Sequence, residues 1–284
     1  MVRSLTRVIS VLTILSVITL VAFAQGEKLR YQSEKGVTHQ YKINTENSTK
    51  AQMGGRDFTT VFGSDIEFSL AGQDAAKNGD LVFVAKVDKN LSRVDSPMMK
   101  DSAMVSKEIN GKRVQLIVTP LGRTVKSVAL DSIPRPANPM MGNINPTDIM
   151  RRIFVELPEK AVGTGDTWKQ TRPDTISAQG MKIISKPDIT FKIAGTEAKG
   201  GYDCLKITFE GTASQYGTGS RQGMELVIDG TVKSKGTAYL APKAGLLVHV
   251  ESSSTNDMNI TGAGEQMFTA TQSVTSNSKM VLVK

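Results

Sequence analysis

Two histidines, one tryptophan and one cysteine are all that a chain of 284 residues contains, and each shortage removes a class of function. A lone Cys204 cannot close an intramolecular disulfide, so the fold must be held by its core. Size allows that, because a chain of about 260 residues buries roughly 70 to 75 per cent of its unfolded surface. Cys204 lies in an apolar run between Tyr202 and Leu205 and reads as a buried, inert thiol. His39 and His249 each sit in an alternating stretch without a second histidine or a cysteine at metal-ligand spacing. Both read as structural strand histidines. The sequence holds neither a Gly-x-Ser-x-Gly elbow nor a His-x-x-x-His pair. Gly217-Thr218-Gly219-Ser220 lacks the Gly-Lys of a phosphate loop and reads as a flexible β-connection. Asp80, Asp88 and Asp95 are separated by strand-like residues rather than arranged as a calcium loop. Nothing nominates a carboxylate pair. The expectation is a protein that is not an enzyme, with no catalytic residue, no metal and no cofactor, and with ligand-binding residues, if any, unknown.

Charge excludes a further class. The formal net charge is +8, or +6 once Arg3 and Arg7 are removed. Arg151-Arg152 and Lys112-Arg113 are the only adjacent basic pairs, so the charge forms no face of the kind that binds nucleic acid.

Long apolar runs are equally scarce. The single one, Val8 to Val21, follows Arg3 and Arg7 and precedes Ala22-Phe23-Ala24, which is the order of a secretory signal. It is shorter than the roughly twenty residues of a membrane span and is diluted by Ser10, Thr13, Ser16 and Thr19. Cleavage after Ala24 is expected, leaving Gln25 first and no transmembrane span in the mature chain. An exported protein, periplasmic or extracellular, follows.

What the mature sequence has in abundance is period-two alternation. Val37, His39, Tyr41 and Ile43 alternate with Thr38, Gln40, Lys42 and Asn44, as in a strand with one buried and one wet face. The pattern returns at Phe62 to Leu70, Leu81 to Val87, Val114 to Val118, Ile189 to Ile193, Leu205 to Phe209 and Met224 to Ile228. Asn78-Gly79-Asp80, Asn110-Gly111, Ala198 to Gly201 and Asp229-Gly230 are expected to be the turns between them.

The middle of the chain breaks this rhythm. Pro134, Pro136, Pro139 and Pro146 remove ladder donors, so this stretch crosses rather than pairs. Asn145 then reads as an N-cap, Pro146 as the first helical residue and Asp148 as the first-turn acid of an amphipathic helix over 146–156, ended by Pro158. Met98-Met99 and Met140-Met141, among thirteen methionines, suit either core filling or an adaptable apolar surface. The organisation expected is a signal peptide over 1–24, a first β half over 25–132, a crossing with a short helix over 133–157 and a second β half over 158–284. The halves share a plan that fits a diverged duplication or two unrelated β units obeying the same hairpin rules.

Three short motifs add a resemblance. Leu29-x-Tyr31 with Gly36 and Tyr41 is the first. The second is the run Leu157-Pro158-x-Lys160-x-Val162-Gly163-x-Gly165-Asp166-Thr167-Trp168, and the third is Gly236-x-Ala238-Tyr239-x-x-Pro242-x-x-Gly245-Leu246-Leu247. Together they resemble an uncharacterised family of secreted bacterial β-rich proteins, similar at a further remove to the lipoprotein-carrier half-barrels of bacterial envelopes. The resemblance implies an envelope location and a hydrophobic ligand, and it carries no catalytic residues.

The fold expected is therefore mainly β, a curved antiparallel sheet or open barrel of ten to fourteen strands in two sequential halves with one short amphipathic helix. Two functions suit it. One is an envelope protein that binds a hydrophobic or amphipathic ligand, such as lipid, between its halves. The other is a structural or protein-interaction β protein, with an envelope protein as partner and no small ligand. Trp168 is expected to be a largely buried anchor whose indole N–H finds an acceptor.

Overall fold

A computed structural model describes residues 26–53, 55–96, 99–104, 109–133, 145–178, 181–221, 224–263 and 267–284. The expected signal peptide, Pro134, Pro136, Pro139, Met98, Met140 and Met141 lie outside the described residues.

Among the described residues, thirteen antiparallel strands form one sheet that does not close on itself. The chain starts in the middle. β1 (Thr38–Met53) pairs with β2 (Arg56–Gly72), which pairs with β3 (Leu81–Ser96). The outer side of β3 carries β4 (Met99–Met104) at its far end and β5 (Arg113–Val118) at its near end, and β6 (Thr124–Ala129) completes that edge. The chain then passes to the opposite edge. There β7 (Thr167–Gln170) and β8 (Asp174–Ala178) both pair with the outer side of β9 (Met181–Lys199). From β9 a meander through β10 (Tyr202–Arg221), β11 (Met224–Ala241) and β12 (Leu246–Ala263) leads to β13 (Phe268–Leu282). β13 returns to pair with β1 along thirteen residues from Tyr41↔Leu282 to Met53↔Ala270.

One face of the near end builds the core. Tyr41 and Ile43, Ile66, Phe68 and Leu70, Leu81, Phe83, Ala85 and Val87, Phe191 and Ile193, Ile207, Ala238 and Leu240 belong to a single buried cluster drawn from both halves. The space they enclose is filled by the protein's own chain: Leu29 and Tyr31 before β1, and Met150, Ile153 and Leu157 from the crossing segment. Strands from β3 to β11 can touch one central plug only if this face is the inside of the curl. Leu29, Tyr31 and Leu157 of the first two sequence motifs belong to that plug, and the third motif lies on β11 and β12 beside it. Glu27 and Val162 exchange backbone hydrogen bonds at 2.9 and 3.0 Å, Tyr31 N–H donates to Pro120 O at 2.8 Å, and Gln32 N–H donates to Gly245 O at 3.2 Å.

The helix is shorter than its apolar spacing predicts. α1 spans Pro146–Met150, with the Asn145 side chain accepting from Thr147 N–H. The chain then turns through residues 151–154, which lets Ile153 enter the core while Phe154 meets Tyr31 edge-on at 5.0 Å and Phe83 at 5.5 Å. A continued helix would hold these side chains on one stripe, whereas the core takes them in different directions.

This segment also bridges the two open edges. On the β6 side, Thr124 Oγ1 donates to Arg151 O at 2.8 Å and Ser127 Oγ donates to Thr147 O at 3.1 Å. On the far side, the Arg151 guanidinium reaches Asp174 Oδ1 at 2.7 Å at the start of β8.

Two glycine readings are corrected. Asp229-Gly230 is not a turn but lies inside β11, opposite Asn259 and Met258, and Gly217 to Ser220 lie inside β10. A Cβ on Gly230 would stand 2.7 Å from Asp257 O, and one on Gly217 would stand 2.8 Å from Ile183 Cγ1. Glycine serves here to let neighbouring strands and side chains come close, not to reverse the chain. At Gly201, by contrast, a φ of 83° places a true turn between β9 and β10.

Candidate partner-binding surface

Beyond the core, the strands run on for several more residues, and the two faces of this extension differ in chemistry. The inner face is read along the pairing registers. One row is Thr45, Ser278, Ser252, Gly236 and Phe209, and the next is Asn47, Ser276, Ser254, Ser234 and Gly211. A third is Thr49, Val274, Asn256, Val232 and Ala213. None of these side chains is charged. Large side chains lie over glycines within the rows, since a Cβ on Gly236 would collide with the Phe209 ring and one on Gly262 with the Phe268 ring. Asn256 Oδ1 is buried without a hydrogen-bond partner, while its Nδ2 approaches Met258 Sδ at 3.5 Å.

The opposite face is charged and mixed in sign. Glu46, Asn277, Ser253, Lys235 and Glu210 form one of its rows. Open clefts of about 740, 840 and 920 Å³ lie mainly across this face, lined by polar side chains such as Lys235, Glu251 and Asp257. Its near end carries a small second core of Cys204, Tyr239, Ala241 and Val248.

The residues singled out in the sequence fall in different places and do not converge. Cys204 is buried in that second core, where desolvation pushes its thiol pKa up and keeps it protonated. His249 is buried beside Tyr239, with Nε2 2.9 Å from Glu251 Oε1, and this contact together with Lys279 holds the Glu251 carboxyl below its usual range. His39 pairs with Leu70 on the core side, and burial lowers its pKa. Trp168 is partly buried and packs against the main core cluster. It occupies the edge strand β7, stacks on Phe191 at 5.3 Å with its plane 10° away, and donates through Nε1 to Glu156 O at 3.0 Å.

Sequence reasoning passed over two features. One is a fully buried Asn90 on β3, whose side chain lies 3.4 Å from Ser64 Oγ and 3.5 Å from Ser92 Oγ and whose N–H takes Asn110 Oδ1 at 2.9 Å. The other is a cleft of about 950 Å³ between β7 and residues 156–162. No periodicity marks either: Asn90 meets Ser64 and Asn110 from other segments, and the cleft is shaped by the way residues 156–162 fold back beside 165–173. No helix among the described residues is long and apolar enough to cross a membrane. Compared with known proteins, the chain matches no family model and no curated sequence.

Proposed function

We propose that this is an exported, non-enzymatic β protein of the cell envelope that meets a protein partner on its extended sheet and its edges. The observation that carries this reading is the occupancy of the inside of the curl. Leu29, Tyr31, Met150, Ile153 and Leu157 fill the space between the apolar faces of the two halves. The clefts that remain are open and lined by polar or charged groups, whereas a lipid pocket is apolar with few polar anchors.

A second reading has one observation in its favour. The uncharged inner face beyond the core, with the unpartnered acceptor Asn256 Oδ1, offers a surface for a neutral amphipathic ligand that brings a hydrogen-bond donor. Native mass spectrometry after gentle purification separates the two. A bare polypeptide mass supports the partner-binding reading, and a retained lipid-sized adduct replaces it with the ligand-binding one.

A further inference from the structure

The outer side of β7 forms a sheet edge that pairs with no other strand among the described residues. Residues in an antiparallel ladder alternate between those that exchange both backbone hydrogen bonds with the partner strand and those whose N–H and C=O point away from it. Ile193 N–H donates to Asp166 O at 3.0 Å. Counting along the register Thr167↔Lys192, Trp168↔Phe191 and Lys169↔Thr190 makes Trp168 and Gln170 the residues bonded to β9. The N–H and C=O of Thr167 and Lys169 therefore point outward, into the cleft of about 950 Å³ that both residues line.

The opposite wall of the cleft offers few free backbone groups. Arg30 takes the carbonyls of Pro158 and Glu159 at 3.3 and 3.4 Å. Val162 is already bonded to Glu27, so extended chain is added to this wall at one end of the cleft. What the cleft lacks is a strand beside β7.

We propose that an extended segment of a partner polypeptide adds to β7 in this cleft, bonded through Thr167 and Lys169. This rests on the partner-binding reading above and specifies its place and mode. A four-residue edge is about 13 Å long at roughly 3.3 Å per residue, which sets the length of the bonded part of the partner. Cross-strand neighbours share a face, so the partner residue opposite Trp168 lies beside the stacked Trp168 and Phe191 rings and is apolar or aromatic. Glu156, Glu159 and Asp166 balance Lys160, Lys169 and Arg172 around the cleft, which favours a segment without net charge. Main-chain bonds carry the affinity in this mode. The shortness of the edge and Lys169 on it keep pairing selective.

The test titrates the purified protein with acetylated, amidated octapeptides that alternate threonine and valine with one central phenylalanine, following backbone amide shifts. Shifts at Thr167 and Lys169 are expected. Peptides N-methylated on the residues that bond β7 should bind at least tenfold more weakly. Lys169→Pro should weaken binding at least tenfold at unchanged melting temperature, because the N–H it removes lies outside the ladder. The N-methylated peptides on unaltered protein decide the matter if that variant misfolds. Silent Thr167 and Lys169 amides at millimolar peptide, or equal binding of N-methylated and unmodified peptides, overturn the inference. Peptide binding that shifts only other amides overturns this site and leaves the partner-binding reading standing. A lipid-sized adduct in native mass spectrometry with no peptide binding overturns both.

Discussion

The Tyr31 hydroxyl and the backbone of Val155 hold each other in both directions: the hydroxyl donates to Val155 O at 3.0 Å and accepts from Val155 N–H at 3.1 Å. One side chain from the segment before β1 thereby satisfies both backbone groups of a residue in the crossing segment. Tyr31→Phe keeps the ring in place against Phe154 but strands both groups, and is expected to cost about 1–3 kcal/mol in chemical denaturation. Tyr31→Ala adds a cavity and should cost about 3–5 kcal/mol. Burial also raises the phenol pKa well above its ordinary value. This stabilisation is full below about pH 10, the unfolded value, and is lost as pH rises beyond it.

Gly236 in β11 lies opposite Phe209, where a side chain would meet both the Phe209 ring and Glu251 O. Gly236→Val forces the ring or the neighbouring strand to move and is expected to destabilise by about 1–3 kcal/mol. Thermal melts of this variant beside Gly79→Ala test the cause. Gly79 has a φ of 85° with nothing near its Cβ position, so its cost comes from backbone strain alone, and restoring space with Phe209→Leu should rescue only Gly236→Val, and only in part because Glu251 O stays in place.

Asp131 is expected to titrate far below a free carboxyl. A side-chain hydrogen bond from Arg113, followed by the Arg113 backbone N–H, lowers its pKa to about 2. The folded value is depressed, so this stabilisation is present above the unfolded value near 4 and is lost as pH falls from there through 2. Carboxyl-carbon shifts followed by NMR locate the midpoint, and Asp131→Asn removes that part of the acid dependence.

Trp168 is expected to behave as a partly buried anchor. Trp168→Ala should cost roughly 2 kcal/mol, below the 3–5 kcal/mol of a full core cavity. Trp168→Phe should recover part of that through stacking on Phe191. Fluorescence emission between that of buried and free indole, with partial iodide quenching, checks the exposure.

How far the fold is legible in the sequence depends on which half of each strand is read. Near the core, the inner face is Tyr41, Ile43, Ile66, Phe68, Ile193 and Ile207, and alternation marks the strands plainly. Beyond it β1, β12, β13 and β10 present Asn47, Ser254, Ser276 and Gly211, so pairing continues while the apolar signal fades, to return at Leu226 and Ile228 at the far end of β11. Strands of fifteen to twenty residues, such as β10 and β13, therefore look much shorter in the sequence. Asp229-Gly230 carries the signature of a hairpin turn, yet its glycine answers the closeness of Asp257 and Met258 on the next strand. The pairing of β1 with β13 leaves no local trace because the partners lie more than two hundred residues apart, and the cleft beside β7, though local, leaves none because it depends on how residues 156–162 fold back beside 165–173.

The space between the two halves is filled by the protein's own chain. Isotope-labelled protein mixed with a spin-labelled fatty acid tests it most directly, because the label broadens only amides that the acyl chain approaches. Amides of Phe68, Ile193 and Ile207 should keep their full intensity. Selective broadening of these core signals at stoichiometric fatty acid would contradict it.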